Sequence, residues 1–142
     1  MAYTTLAQLI ERYGEALLIA LTDRGTVATG TVDPDAVARA LADADAVIDG
    51  YLAGRYVLPL AAVPALIADL AAAIAIWKLH IGQPDPKIEA DYRDALKLLR
   101  DIADGRLRIS AAGAEPAGTG GTGARITDRA RPLTAENLKG FV

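Results

Sequence analysis

Pro64-Ala65-Leu66-Ile67-Ala68-Asp69-Leu70-Ala71-Ala72-Ala73-Ile74-Ala75-Ile76-Trp77-Lys78-Leu79-His80-Ile81-Gly82 is the stretch on which the fold turns. Proline at its start fits a helix N-terminus, where a missing N–H is no loss, and Gly82 is placed to stop it. Leu66/Ile67, Leu70, Ile74, Trp77 and Ile81 recur at helical spacing, and alanines fill most of the other positions. A helix apolar almost all round must be covered on several sides, so this one is either the centre of a bundle or buried partly by another subunit. A membrane span is not expected. The longest uncharged run, Tyr56 to Ala68, has 13 residues, against the ~18–20 that a span needs.

The flanking segments read as amphipathic helices. Asp33-Pro34 and Asp85-Pro86 each offer an N-capping carboxylate followed by proline in the first helical position. After the first, Val37, Leu41, Ala44, Ile48 and Tyr51/Leu52 form one apolar stripe, with Arg39, Asp43, Asp45 and Asp49 expected in water. After the second, Ile88, Tyr92, Ala95/Leu96, Leu99 and Ile102/Ala103 form the inner stripe. Glu89–Arg93 and Lys97–Asp101 are i,i+4 pairs of opposite sign, each contributing a few tenths of a kcal/mol. Gly105 is a C-cap candidate, and the alternation from Arg106 to Ser110 predicts a short edge strand.

Towards the N-terminus, Thr5 and Gln8 make a capping box for a first helix with Leu6, Leu9, Ile10 and Tyr13 on one face. Gly14 ends or bends it, and Glu15 to Leu21 is a second short segment, with Leu17, Leu18 and Leu21 as buried candidates. Thr22 to Val32 reads as a polar loop long enough to be mobile. The fold class is therefore all-α: a small bundle of about four to five helices. Thirty alanines among 142 residues support that reading, because alanine is the best helix former.

Beyond the helical core (residues 1–110) the composition changes. Residues 111–124 carry five glycines, one proline and no large apolar side chain, which predicts a flexible linker with a reach of roughly 20 Å. Residues 125–142 read as a docking segment. They hold four basic and two acidic side chains, a charge of +2, whereas residues 1–124 hold 11 basic and 16 acidic, a charge of −5. Arg125, Arg129 and Arg131 supply the charge; Pro132, Leu133, Leu138, Phe141 and Val142 supply the apolar contacts, and Phe141 is the chain's single phenylalanine. A disordered tail gains nothing from such residues unless it docks on a surface.

Motifs for chemistry are scarce. There is no cysteine, which excludes thiolate catalysis, thiolate metal sites and disulfides, and suits a reducing compartment. No basic and apolar leader of the secretory kind opens the sequence. The single histidine, His80, sits at the end of the central helix without a nominated carboxylate or nucleophile, so it reads as a capping or interface residue. Asp43, Asp45 and Asp49 read as a solvated acidic face, since the loop and carbonyl ligands of a calcium site are missing. The glycines of 118–123 lack the lysine and flanking strand of a phosphate loop. Trp77, Tyr51, Tyr56 and Tyr92 read as core. Arg106 and Arg108, with the arginines of the docking segment, suit acidic protein surfaces better than nucleic acid, given the net charge of −3. No enzyme activity, metal or cofactor is implied.

The opening Tyr3 to Gly14, the segment Asp45 to Tyr56 with its Asp-Gly-Tyr-Leu-Ala-Gly-Arg-Tyr core, the following Leu58-Pro59-Leu60 and Val63-Pro64, the helix Leu66 to Leu79 and the ending Leu138-Lys139-Gly140-Phe141 together resemble the Mu-like phage and prophage family of small neck proteins. The likeness covers nearly the whole chain. It implies a virion protein, a head–tail connector (adaptor, or head-completion) subunit that forms a ring, commonly of twelve, beneath the portal protein. The next neck or tail-completion protein would bind the ring, and DNA would pass through it without sequence-specific contact. Assembly would take place in the host cytoplasm. A non-virion helical interaction module is the alternative.

Overall fold

The computed structural model describes residues 1–110. Five helices follow one another: α1 (Leu6–Tyr13), α2 (Glu15–Thr22), α3 (Pro34–Leu52), α4 (Ala65–Leu79) and α5 (Pro86–Ala103). All-α architecture is what the sequence periodicity predicts. The 111–124 linker and the 125–142 docking segment lie outside the described residues.

Three long helices make the body, with α3, α4 and α5 all packed on one another and α1 laid against α4. Every residue from Leu70 to Ile76 is buried. The all-round apolar character of α4 is thus answered inside the chain, by α3, α5 and α1, and does not call for a second subunit. Val37, Ala44, Ile48 and Leu52 from α3, and Ile88, Ala95, Leu99 and Ile102 from α5, face it as the stripes predict.

Local signals set most of the boundaries. Thr5 Oγ1 accepts from the N–H of Gln8, and the Gln8 side chain accepts from the N–H of Thr5, so the capping box is complete. Gly14 separates α1 from α2 with φ +87°, a left-handed value that suits glycine. Asp33 and Asp85 accept from the N–H groups of Asp35 and Lys87 at 2.9 and 2.8 Å, each ahead of its proline.

Four expectations are corrected. α4 ends at Leu79, so Ile81 does not join its apolar face and is instead 78% exposed; the turn is closed by the His80 ring, whose Nδ1 lies 2.8 Å from the carbonyl of Ile76. Arg106 to Ser110 forms no strand. Its alternation serves a different end: Ile109 is buried, and its N–H donates to the Tyr56 hydroxyl at 3.1 Å. Asp101 pairs with Arg106 and not with Lys97, while Lys87–Asp91 joins Glu89–Arg93 as an i,i+4 pair. Asp45 and Asp49 are only partly exposed and are engaged by Tyr3, whose N–H donates to Asp45 at 3.1 Å and whose hydroxyl donates to Asp49.

The loop after α2 is organised by one carboxylate. Asp23 accepts from the N–H groups of Thr29 and Gly30, each at 3.0 Å, and these bonds hold its pKa below the ordinary value. Buried Thr22 links the loop's two ends, donating to the carbonyl of Leu18 and accepting from the N–H of Asp33.

Candidate interaction surfaces

The described residues place the exposed aliphatic side chains at opposite ends of the bundle. Arg24 donates to the carbonyls of Leu21 and Leu79, tying the loop after α2 to the C-terminus of α4. Val27 and Ile81, 76% and 78% exposed, therefore sit at one end, where α3 and α5 begin. Val57, 70% exposed, follows the C-terminus of α3 and so marks the other end. Single exposed aliphatics are ordinary; the pairing of Val27 with Ile81 on two adjoining loops is what makes that end a candidate contact.

The second end carries the bases. Arg100, Arg106 and Arg108 are exposed there, with Asp101 and Asp104 as the nearby acids. Arg55, just past α3, packs its guanidinium on Gly105, just past α5, so closely that a Cβ at 105 would overlap it. The C-cap of α5 is Asp104, one residue before the expected Gly105, and Gly105 follows it with φ +77°, the left-handed value common just past a helix end. The Arg55 Nε is buried without a hydrogen-bond partner. Position 105 thus needs glycine twice, for its backbone and for the side chain lying on it.

Two clefts on the sides of the bundle have largely apolar linings. One, of about 600 Å³, is lined by Tyr13, Leu17, Ala73 and Ile88, with the Lys87–Asp91 pair at its rim. Burial raises the Tyr13 pKa, which keeps that hydroxyl neutral. The other, of about 400 Å³, lies between α3 and α5 over Ala46, Val47, Gly50, Tyr51, Tyr92 and Leu96. Tyr92 stacks on Trp77 with ring centroids 4.0 Å apart, and Tyr56 is buried. Of the aromatic quartet, Tyr56 alone is fully core; Trp77, Tyr51 and Tyr92 are half-buried.

On the C-terminal half of α3, burial raises the pKa of both Tyr3 and Asp45, and the hydrogen bond to Asp49 raises Tyr3 further. This cluster fastens Tyr3 onto α3. No group of three or more His, Cys, Asp or Glu able to hold a metal occurs among the described residues, and no helix among them is long and apolar enough to cross a membrane. The predicted docking residues Arg125, Arg129, Arg131, Pro132, Leu133, Leu138, Phe141 and Val142 lie outside the described residues. The Arg55–Gly105 contact has no local sequence signal, because 50 positions separate its partners (105 less 55).

The family described as Bacteriophage Mu, Gp36 matches residues 3–127. Gene product J of Escherichia phage Mu is 36% identical over 142 residues, covering the whole of both chains. The Mu-like prophage FluMu protein gp36 of Haemophilus influenzae is 30% identical over 112 residues, 79% of each chain.

Proposed function

The chain belongs to this Mu Gp36 family of phage proteins, and on that premise we propose that it is a structural subunit of the virion neck. Copies of it form a ring under the portal protein that joins the DNA-filled head to the tail, and the next neck or tail-completion protein binds the opposite face. It works by contact, without catalysis, cofactor or metal.

The observation that carries this reading is the unlikeness of the two ends. Val27 and Ile81 mark one, and Val57 with Arg100, Arg106 and Arg108 marks the other. A subunit between two different partners needs two different end surfaces, and head-to-tail contacts between copies close into a ring when the rotation from one copy to the next closes. The described residues carry 11 basic and 15 acidic side chains, a balance that lets DNA pass by without the phosphate neutralisation that drives tight binding.

Labelling the protein in purified particles tests the assignment. Signal at the head–tail junction is expected; absence from the particles would overturn it. Within that reading, Val27→Asp with Ile81→Asp should leave the body folded and block assembly at one face. Val57→Asp should affect the other face alone. The arm is assigned to partner contact, so a chain ending at Ala124 should fold yet leave heads without tails, and full assembly by that truncated chain would refute the arm's role.

A further inference from the structure

The cleft between α3 and α5 has the form of a seat for a bulky side chain. Along α3, Val47 and Tyr51 stand one helical turn apart as a wall, and beside them Ala46 and Gly50, also one turn apart, leave a notch. A Cβ at Gly50 would meet nothing within 4 Å. Along α5, Tyr92 and Leu96 form the facing wall, and Tyr92 is braced from below by Trp77. These four walls are half-buried apolar or aromatic side chains, an environment in which an added ring gains both apolar burial and offset or edge contacts with tyrosine.

The geometry points to an occupant from the same chain: we propose that the α3–α5 groove receives the Leu138–Val142 segment, with Phe141 in the notch, when the protein is free. Three observations favour it. Residues 125–142 carry +2 while the described residues carry −4 (11 basic less 15 acidic), so the segment is drawn to the body. Asp43, exposed and one turn before Val47, puts an acidic side chain on the same stripe of α3, while Arg100 is one turn past Leu96 on α5. The span also suffices. α3 and α5 run in the same direction, since Arg55 meets Gly105 and Tyr56 meets Ile109 beyond their C-termini. From Gly105 back to Leu96 is nine residues, or roughly 14 Å of helix. The 27 residues between Ser110 and Leu138 reach roughly 30 Å.

Mass action selects the chain's own groove over a neighbour's in dilute solution. A tether of this kind gives an effective concentration on the order of millimolar, far above a micromolar sample. The inference stands apart from the neck reading, because it concerns the isolated chain.

The absence of cysteine makes the test clean. In the full-length protein at low micromolar concentration, Ala46→Cys with Lys139→Cys should oxidise to an internally crosslinked monomer. It should do so at least several-fold faster than Ala20→Cys with Lys139→Cys, which probes the exposed surface of α2. Adding Phe141→Ala to the first pair should bring its rate down to that of the second, with the helical circular dichroism unchanged. Equal rates for the two pairs would remove this occupant from the groove. Disulfide-linked dimers in place of monomers would assign the groove to a second copy and overturn the proposal as well. Either outcome would leave the neck assignment to its own test.

Discussion

Helices α4 and α5 lie side by side and are stabilised in opposite ways. α4 has no side-chain cap at its N-terminus and no acidic residue in its first turn, and seven consecutive residues, Leu70 to Ile76, are buried. α5 has the Asp85 cap, Pro86 in the first turn, two i,i+4 ion pairs and only Ile88, Ala95, Leu99 and Ile102 buried. The first is a helix because, along those seven residues, its surroundings exclude water from every side. The second carries enough local instruction to define its own ends. The difference teaches that a short helix can do without capping when tertiary burial supplies the stability.

That comparison can be broken by substitution. Ile74→Ala, in the middle of the buried run, should have the largest effect, roughly 2–5 kcal/mol of lost stability, read from urea denaturation. A loss no larger than that of an α5 surface variant would show that α4 does not depend on packing. Gly105→Ala should cost about 1–2 kcal/mol from the left-handed backbone alone, with more from the displaced Arg55 guanidinium. Repeating it in an Arg55→Ala background separates the two parts, since only the steric one should recover; no recovery would mean that the guanidinium shifts freely. Asp85→Ala should cost about 1 kcal/mol, visible as a lower thermal midpoint and as faster amide exchange at the start of α5. The corresponding change at α4, Pro64→Ala, removes no hydrogen bond, and a cost as large as that at Asp85 would contradict the contrast. Glu89→Gln, at a pair exposed to solvent, should shift stability by only a few tenths of a kcal/mol, and the shift should vanish at high salt.

The same division explains what could be read in advance. Thr5 with Gln8, Asp33-Pro34, Asp85-Pro86 and Gly14 are local devices whose partners lie within a few residues, so the element boundaries they control were legible. Local sequence puts Asp45 and Asp49 in water because their partner, Tyr3, is more than 40 positions away. The Arg106–Ser110 alternation forms no strand for a similar reason: the N–H of Ile109 is taken by the hydroxyl of Tyr56, on the far side of two helices in sequence. Periodicity extends the α4 face to Ile81 because it does not register that the helix closes on the His80 ring. The two end surfaces and the α3–α5 groove were not legible at all, since they exist only once the helices are brought together.

The bond from Ile109 to Tyr56 also settles how a mechanical load would enter the protein. Tension applied to the chain beyond Ser110 is not passed straight to the last turn of α5, where it could peel the helix open one residue at a time. It is met first by the buried Ile109 side chain and by the Tyr56 hydroxyl, and so is divided between the chain leaving α3 and the chain leaving α5. That bond and the buried side chain must give way before the last turn of α5 is loaded.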